Sequence, residues 1–316
     1  MRWYWHRYHN PLSLRIVFAT IPRLPRLVHP PIAAVTAGLF FLLLHRERRA
    51  VLSNLEVMMG RAGLSACWAA YRVFYNFCDF IVSYCYVPAA DDEALLSMLS
   101  DADRGATAID ACLKDGGLIV WTAHAANWEF ASRLLELHGR RVNVARVVER
   151  GNDAEMQLRN LMTNDRLRAV DLSDPAAVVQ LLHVLRAGEI VAMQGDRVYR
   201  GKGVTVSFFG RPTPFPPGPF HLAYAAGVPV VPGLVIRTGW LRYRMVVGPP
   251  IELDRSQPRD AAVAAGLSRA VSFLEGHLRV WPSQWLNFFE IWPAAARAGV
   301  AADLTDAPNA APRRAS

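Results

Sequence analysis

Residues 117–137 read GLIVWTAHAANWEFASRLLEL, and this stretch decides the fold. Residues 118–123 form a short apolar run after the turn-forming triplet Asp115-Gly116-Gly117, which is typical of a buried strand entered from a tight turn. From Trp128 to residue 137, apolar side chains recur at helical spacing. The stretch therefore predicts a strand, a short polar loop and a helix in direct succession.

The predicted loop and the start of the helix carry a histidine–carboxylate pattern. Asn127 is predicted as the N-cap of the helix, which places Glu129 in the first turn, where the helix dipole favours a carboxylate. His124 and Glu129 would diverge by ~140° on one continuous helix, but a loop position for His124 lets the chain bring them together. A histidine held by a carboxylate can take a proton from a hydroxyl. The alternative is a hydrogen-bonded loop histidine and an exposed helical glutamate.

The composition favours contact with lipid. Hydrophobic residues make up 52% of the 316 residues, with nine tryptophans and fourteen phenylalanines, which exceeds what a soluble domain usually carries. The formal net charge of +8 suits an anionic membrane surface or an acidic protein partner. The aromatic residues cluster with apolar runs rather than with basic residues, so a nucleic-acid partner is not expected.

The sequence lacks the motifs of metal sites, phosphate-binding loops and serine hydrolases. The four cysteines, Cys67, Cys78, Cys85 and Cys112, form no CxxC or His/Cys ligand cluster, so we expect no metal site and read them as reduced packing residues. The sequence contains no phosphate-binding glycine motif after a strand and no GxSxG elbow. Without a nucleophile motif, a His–Glu pair is best suited to activating the hydroxyl of a substrate. That chemistry implies direct acyl transfer from an activated donor, with no acyl-enzyme and no cofactor.

The N-terminal segment has the features of a membrane-associated helix. Residues 1–11 mix basic and aromatic side chains, a combination typical of the lipid headgroup region. Residues 32–44 contain no charge, and the basic cluster 45–49 follows them. Because a single span needs ~20 residues, we favour a helix embedded in one leaflet or packed on the core over a true span. The basic cluster predicts the cytoplasmic side of the membrane.

From residue 116 onward, strand and helix patterns alternate, which predicts an α/β domain with a mostly parallel central sheet flanked by helices. Predicted strands cover residues 118–123, 142–148, 169–172, 189–194, 204–209, 228–236 and 241–247, the last two as an antiparallel hairpin. Predicted helices cover residues 128–138, 154–165, 175–187, 220–226 and 261–279. The proline-dense residues 210–219 are predicted to lack regular structure.

Residues 122–129, TAHAANWE, resemble the HxxxxD/E box of the lysophospholipid acyltransferase superfamily. They are similar in particular to its bacterial branch of lipid A late acyltransferases (lauroyl and myristoyl transferases) and phosphatidylinositol mannoside acyltransferases. The resemblance runs from about residue 48 to 292 and includes Arg48-Arg49, Asn54-Leu55, Arg146, Gly188-Glu189, Gly195-Asp196, Phe208-Phe209-Gly210, Gly218, Leu222-Ala223 and Val230-Val231-Pro232. It implies a glycerol-3-phosphate acyltransferase-like fold, with His124 as general base and Glu129 as the acid that orients it.

The same resemblance implies substrate-binding roles for four residues: Asn127, Arg146, Asp196 and Arg197. Arg146 matches the arginine of the second motif and would meet a phosphate or a developing oxyanion. Asp196 matches an aspartate that usually precedes a glutamine, and here Arg197 replaces that glutamine. The alternatives are a structural ion pair for Arg146, a turn cap for Asp196 and a solvated side chain for Arg197.

The resemblance also implies the co-substrates. The donor would be an acyl carrier protein or coenzyme A thioester, and the acceptor a membrane glycolipid of the lipid A type at the cytoplasmic face of the inner membrane. The chain lacks a Phe-Pro-Glu-Gly-Thr box, which argues against a lysophosphatidate acceptor. Residues 284–290, QWLNFFE, replace the usual basic ending, so a specialised lipid other than lipid A stays an alternative. Two alternative functions also stay open: a non-catalytic lipid-binding relative, and an esterase or thioesterase that uses water.

The predicted organisation has three parts. Residues 1–50 form the membrane-associated segment, residues 51–293 the acyltransferase domain, and residues 294–316, rich in Ala, Pro and Arg, a disordered tail. Residues 68–87 are aromatic almost all round, which predicts either a buried helix or a helix with one face lining an acyl-chain groove. Trp281, Trp285 and Trp292 are predicted as packing or interfacial anchors.

Overall fold

The alternation of strands and helices produces a six-stranded sheet and a separate hairpin. The computed structural model describes residues 11–100, 106–147, 161–199 and 203–292. Its strands are β1 (Leu118–Thr122), β2 (Val142–Arg146), β3 (Leu167–Asp171), β4 (Ile190–Gln194), β5 (Val204–Phe208), β6 (Arg211–Phe215), β7 (Val230–Gly239) and β8 (Arg242–Val247). The large sheet has the order β3-β2-β4-β1-β7-β8, and β5 and β6 pair with each other.

The large sheet is mostly parallel, which confirms the predicted fold class. β1 pairs in parallel with β4 and β7, and β2 pairs in parallel with β3 and β4. β8 runs antiparallel to β7, so the predicted hairpin is confirmed. All five residues of β1 are buried, as expected for a central strand covered by helices on both faces. The carboxyl ends of β1, β2 and β4 therefore meet at one edge of the sheet.

Helices precede the sheet and flank it. They are α1 (Pro11–Thr20), α2 (His29–Leu43), α3 (His45–Met59), α4 (Leu64–Ser83), α5 (Asp92–Ser97), α6 (Ala106–Lys114), α7 (Trp128–Leu135), α8 (Ala177–Arg186), α9 (Gly218–Ala226) and α10 (Arg259–Val280). α8 begins two residues later than predicted, because Asp174 accepts the backbone N–H of Ala176 in a preceding turn rather than capping the helix. All four cysteines are free, and Cys67 is exposed rather than packed.

The prediction of irregular structure for residues 210–219 is wrong at β6. Pro212 and Pro214 pair with Ser207 and Thr205 of β5 in an antiparallel register. Alternate residues of a strand direct their N–H groups to the same side, so two prolines that are two positions apart can both lie on the side that pairs with no neighbour. A two-stranded hairpin has such a side on each strand, which is why it accommodates this sequence.

The hairpin and the C-terminal segment share an aromatic cluster. The ring centroid of Phe208 lies 5.2 Å from that of Phe215 and 5.6 Å from those of Trp285 and Trp292. The indole N–H of Trp292 also donates to the Thr213 hydroxyl at 2.8 Å. This packing confirms a structural role for Trp292 and holds the residues after α10 against the hairpin.

Helix α2 packs on α4 with one face and leaves the other exposed. The Tyr71 hydroxyl donates to the Ala34 carbonyl at 3.1 Å, and the rings of Phe41 and Phe74 lie 5.9 Å apart. Pro30 and Pro31 occupy the first turn of α2, where a proline costs no helical hydrogen bond, so the helix extends past them. By length and composition, Arg26–Leu43 could cross a membrane, and 17% of that segment is buried.

Some predictions fall on residues outside the described part of the chain. These are the aromatic residues 1–10, most of the predicted helix over 154–165 and the tail from residue 293. The predicted boundary at residue 50 falls inside α3. The division into three parts stays a prediction.

Candidate active site

Three polar side chains lie at the carboxyl ends of three adjacent parallel strands. His124 follows β1, Asp196 follows β4, and Arg146 is the last residue of β2. Because β4 lies between β1 and β2, Asp196 sits between the other two. The carboxyl edge of a parallel sheet is where ligands bind in open α/β folds. We therefore take this edge as the candidate active site.

The carboxylate of Asp196 holds His124. Nδ1 of His124 lies 2.6 Å from Oδ1 of Asp196, and the backbone N–H of His124 donates to Oδ2 at 3.0 Å. The indole N–H of Trp285 donates to the same Oδ2 at 2.9 Å. The side chain of Asp196 is 0% exposed, so these groups, rather than water, surround the carboxylate.

The electrostatics keep Asp196 ionised and His124 neutral. Burial alone would raise the pKa of the Asp196 carboxyl, but its interaction with His124, the charge of Arg197 and the hydrogen bond from Trp285 together hold that pKa below the ordinary value. Burial and the charge of Arg197 lower the pKa of His124 to about 4, against the opposing effect of Asp196. At neutral pH, the Nδ1–H group then donates a hydrogen bond to Asp196 and keeps its proton, and Nε2 carries the lone pair that can accept a proton.

The acid that contacts Nδ1 of His124 is thus Asp196 and not Glu129, which corrects the sequence-based assignment of that contact. Glu129 lies in the first turn of α7, as predicted, but its Oε1 is 3.8 Å from NH1 of Arg146. Within the described residues, Oε2 of Glu129 and both Nε and NH2 of Arg146 are buried without a hydrogen-bond partner. Among the described residues, Arg146 therefore has unused donors and Glu129 an unused acceptor at the carboxyl edge of the sheet. A catalytic role for Glu129 stays a prediction.

The loop after β1 is held by the segment that follows α10. The N–H of Leu286 donates to the His124 carbonyl at 2.8 Å, and the N–H of Ala126 donates to the Gln284 carbonyl at 2.7 Å. Ala126 has φ 46°, in the left-handed region that alanine rarely adopts. Sequence analysis missed Gln284 and treated Trp285 only as an anchor. The indole N–H of a buried tryptophan usually has an acceptor, which was the available signal.

Asn127 is the N-cap of α7, as predicted. Its Oδ1 accepts the Phe130 N–H at 3.0 Å, and its Nδ2 donates to the hydroxyls of Ser83 and Tyr243. The residue is 1% exposed, so its side chain has a structural role. Substrate binding by Asn127 remains a prediction that these contacts do not support.

Arg197 is buried rather than solvated. Its Nε donates to Oδ1 of Asn287 at 2.7 Å, and NH2 donates to the carbonyl of Leu286 at 3.0 Å. Its guanidinium also lies 5.4 Å from the ring centroid of Phe289. The alternative of a solvated side chain is therefore wrong. Arg197 binds the segment after α10 and places a positive charge beside Asp196, 4.0 Å from Oδ2.

Gly195 allows the backbone after β4 to pass close to the indole of Trp121, and the next residue, Asp196, contacts His124. A methyl group at this position would overlap the indole of Trp121, which is 0% exposed and cannot move aside. Gly195→Ala is expected to destabilise the protein by ~1–3 kcal/mol, the usual range for overpacking, in denaturant unfolding. Gly276→Ala is the matched control, because nothing lies within 4 Å of its added methyl group inside α10. An unfolding free energy for Gly195→Ala equal to that of the control would contradict the packing described.

Comparison with known proteins shows the family of this chain. A family model described as bacterial lipid A biosynthesis acyltransferase matches residues 9–293. The chain belongs to this family. Phosphatidylinositol mannoside acyltransferases from two strains of Mycobacterium tuberculosis (CDC 1551 / Oshkosh and ATCC 25618 / H37Rv) are each 29% identical to it over 152 residues. That alignment covers 46% of this chain and 47% of each relative, so the chain spans about half the length of the curated relatives it matches.

This member of the lipid A biosynthesis acyltransferase family carries an arginine beside its buried aspartate, and we expect that charge to affect the pH dependence. The positive charge of Arg197 disfavours imidazolium, so Arg197→Gln should raise the pKa of His124. If His124 is the base, kcat/KM should decrease as the pH falls through about 4, and in Arg197→Gln this acid limb of the pH profile should lie at higher pH. Arg279→Gln, which changes an exposed arginine, should leave the limb in place. A limb that stays or moves to lower pH in Arg197→Gln would refute the electrostatic assignment.

Proposed function

We propose that the protein is a membrane-associated O-acyltransferase that moves a fatty acyl group from a thioester to a hydroxyl of a membrane glycolipid. The observation that carries the proposal is the 2.6 Å contact between Nδ1 of His124 and the buried carboxylate of Asp196. This arrangement leaves the basic nitrogen Nε2 to activate an alcohol. A buried His–Asp pair acts in the same way in hydrolases that activate a serine.

In the proposed step, Nε2 of His124 takes the proton of the acceptor hydroxyl as its oxygen attacks the thioester carbonyl carbon. The resulting tetrahedral intermediate collapses with cleavage of the C–S bond. The thiolate takes the proton back from the imidazolium, so the products are an ester and a free thiol. Asp196 stays ionised throughout and stabilises the transient positive charge on His124.

Arg146 is the proposed anion-binding group. Its side chain is 9% exposed, its NH1 lies 3.8 Å from Oε1 of Glu129, and its Nε and NH2 have no hydrogen-bond acceptor in the part of the chain that the structure describes. Buried guanidinium N–H groups without acceptors are costly and suit a charged oxygen of a substrate or of the transition state. We propose that Arg146 binds a phosphate of the acceptor or the developing oxyanion.

The proposed donor is an acyl carrier protein thioester, with coenzyme A as the alternative. The net charge of +8 favours an acidic donor, and an acidic carrier protein and the phosphates of coenzyme A both meet that condition. Neither donor requires a cofactor in the protein, because the thioester is itself the activated group.

A membrane surface is the proposed location of the reaction, at the cytoplasmic face of the inner membrane. The outer face of α2 exposes large apolar side chains, among them Val35 (65%), Leu42 (61%) and Leu43 (68%). On α4, Leu64 (89%) and Trp68 (62%) are also exposed. Apolar side chains in such number on one region are typical of a lipid-binding surface. They support an interfacial helix, and a full span is the alternative.

The acceptor is proposed as a glycolipid of the lipid A type. The family supports this class, and the Mycobacterium relatives are named for another glycolipid, phosphatidylinositol mannoside. A specialised lipid other than lipid A stays the alternative acceptor, because residues 284–290 lack the expected basic ending. In the structure those residues bind Asp196, His124 and Arg197 instead.

The test is a product balance with the full chain in detergent. Acyl carrier protein thioester and acyl-coenzyme A are supplied separately with a bacterial membrane lipid extract, and lipids and free thiol are quantified by mass spectrometry. We expect one acylated lipid per thiol released from one of the donors. Free fatty acid as the sole acyl product would replace the proposal with a thioesterase. Lipid that co-purifies without turnover of either donor would replace it with a non-catalytic lipid-binding protein.

A further inference from the structure

A chain of buried polar groups lies behind the loop that carries His124. The amide Nδ2 of Asn127 donates to the hydroxyl of Tyr243 at 3.2 Å, and that hydroxyl donates to Oδ2 of Asp79 at 2.7 Å. Asn127, Tyr243 and Asp79 are each no more than 1% exposed. The proposed acyl transfer uses none of these three side chains as a reacting group.

Asp79 gives this chain a fixed direction. Its other oxygen accepts the backbone N–H of Leu241 at 3.0 Å and lies 3.1 Å from Nε of Arg237, so a cation compensates the buried carboxylate. Burial raises the pKa of the Asp79 carboxyl, and the charge of Arg237 and the hydrogen bonds from Leu241 and Tyr243 oppose that shift. The Tyr243 O–H donates to Oδ2 of Asp79, which sets the direction of the chain. The Tyr243 oxygen then accepts a hydrogen bond from the amide Nδ2 of Asn127.

The same chain determines which way the Asn127 amide faces. Its Nδ2 also donates to the Ser83 hydroxyl at 2.9 Å, which turns Oδ1 toward the N–H of Phe130 at 3.0 Å. An amide turned by half a rotation would place NH₂ against that N–H and lose the helix cap. The hydrogen bonds that run from Asp79 through Tyr243 therefore help to fix the geometry at the start of α7.

A second set of hydrogen bonds links Arg237 to the loop through Gln284. The Gln284 side chain accepts the backbone N–H of Arg237 at 2.7 Å and donates to its carbonyl at 2.8 Å. The backbone carbonyl of Gln284 then accepts the N–H of Ala126, the residue with φ 46°. A left-handed alanine persists only where its surroundings impose that conformation. The two sets of hydrogen bonds meet at Arg237, because its guanidinium contacts Asp79.

We propose that Asp79 and Tyr243 are positioning residues for acyl transfer, acting through Asn127 to fix the loop from which His124 projects. The inference rests on the proposed function in taking His124 as the base. It assigns a role in turnover to side chains on α4 and β8 that contact no reacting atom. Displacement of a base by a fraction of an ångström is costly, because proton transfer requires near-ideal geometry.

The test compares Tyr243→Phe, Asn127→Ser and the double variant with the wild-type chain. Phenylalanine keeps the ring of Tyr243 and removes only its hydroxyl, and serine keeps a helix N-cap while removing the Nδ2 donor. Tyr224→Phe is the matched control, because the Tyr224 hydroxyl makes a surface contact with the Gln257 carbonyl. Two experiments are made: steady-state kinetics, which give kcat and KM for the acyl thioester, and amide hydrogen exchange over residues 124–130.

We expect each single variant to lower kcat by ~10–100-fold, because the loop is displaced while the thioester site is not. KM for the thioester should not change, and amide exchange over residues 124–130 should become faster. The double variant should lose no more activity than the less active of the two single variants, because both changes break the same chain. Tyr224→Phe should match the wild type in both measurements.

The inference is overturned if Tyr243→Phe matches Tyr224→Phe in kcat and in exchange. Losses that multiply in the double variant would also overturn it, since Tyr243 would then act independently of Asn127. If the wild-type chain transfers no acyl group, the proposed function fails instead. The exchange rates over residues 124–130 would still decide whether the Tyr243 hydroxyl and the Asn127 amide hold the loop.

Discussion

Asp196→Asn is expected to lower kcat for acyl transfer by ~10⁴-fold, the loss typical when the acid of a His–Asp pair is replaced by its amide. The carboxylate of Asp196 accepts from three donors: two on His124 and one on Trp285. Asparagine has one accepting oxygen and an NH₂ group, so at least one donor would face another donor. If the NH₂ group faces Nδ1 of His124, the imidazole proton moves to Nε2 and the base is lost.

The measurement is the steady-state rate of thioester-dependent lipid acylation, with circular dichroism to confirm that the variant is folded. Asp110→Asn is the matched control, because Asp110 makes a similar 2.6 Å contact with Nδ1 of His138 on the surface. It should retain the wild-type rate. Glu129→Gln should cost less than Asp196→Asn, since Glu129 faces Arg146. The opposite order would return the orienting role to Glu129, as the sequence-based prediction had it.

His124→Ala is the second large effect, with an expected loss of ~10²–10⁴-fold in kcat, the usual contribution of a general base. The alanine variant keeps the backbone N–H that donates to Asp196 and the carbonyl that accepts from Leu286, so the loop retains two of its contacts. Binding of the thioester should therefore persist, and KM should change far less than kcat.

His138→Ala serves as the control for this variant, because it removes an imidazole that also contacts an aspartate but lies away from the sheet edge. It should acylate lipid at the wild-type rate. Equal rates for His124→Ala and the wild type would rule out His124 as the base. Loss of lipid acylation with a rise in free fatty acid would instead indicate that His124 excludes water from the thioester.

The local part of the site could be predicted from sequence because its signals are local. The apolar run after Gly117, the N-cap at Asn127 and the glutamate in the first turn of α7 all follow from residues within one stretch. The hairpin of β7 and β8 and the alternation of strands and helices likewise depend on short-range patterns. The structure confirms these elements to within a few residues.

The partner of His124 could not be predicted in this way. Asp196 is 72 positions away along the chain, and it meets His124 only because β4 lies next to β1 in the sheet. Sequence alternation predicts that parallel strands exist but not their order. A five-residue spacing therefore favoured Glu129, the nearer carboxylate along the chain, over Asp196, the nearer one in space.

The C-terminal contribution was missed for the same reason. Residues 284–287 read as an apolar, aromatic ending, whereas in the structure they bind the loop, Asp196 and Arg197. The burial of Arg197 also has a structural explanation. Its guanidinium donates to Asn287 and packs on the ring of Phe289, so the segment after α10 supplies the partners of this buried charge.

The most direct test of the central claim, that His124 and Asp196 act as one unit, is the acylation rate of the double variant His124→Ala/Asp196→Asn. Residues that act as a unit are strongly non-additive, because the second change removes nothing that the first has left in place. The double variant should acylate lipid at the rate of His124→Ala alone. A further loss equal to that of Asp196→Asn in the wild-type background would contradict the account.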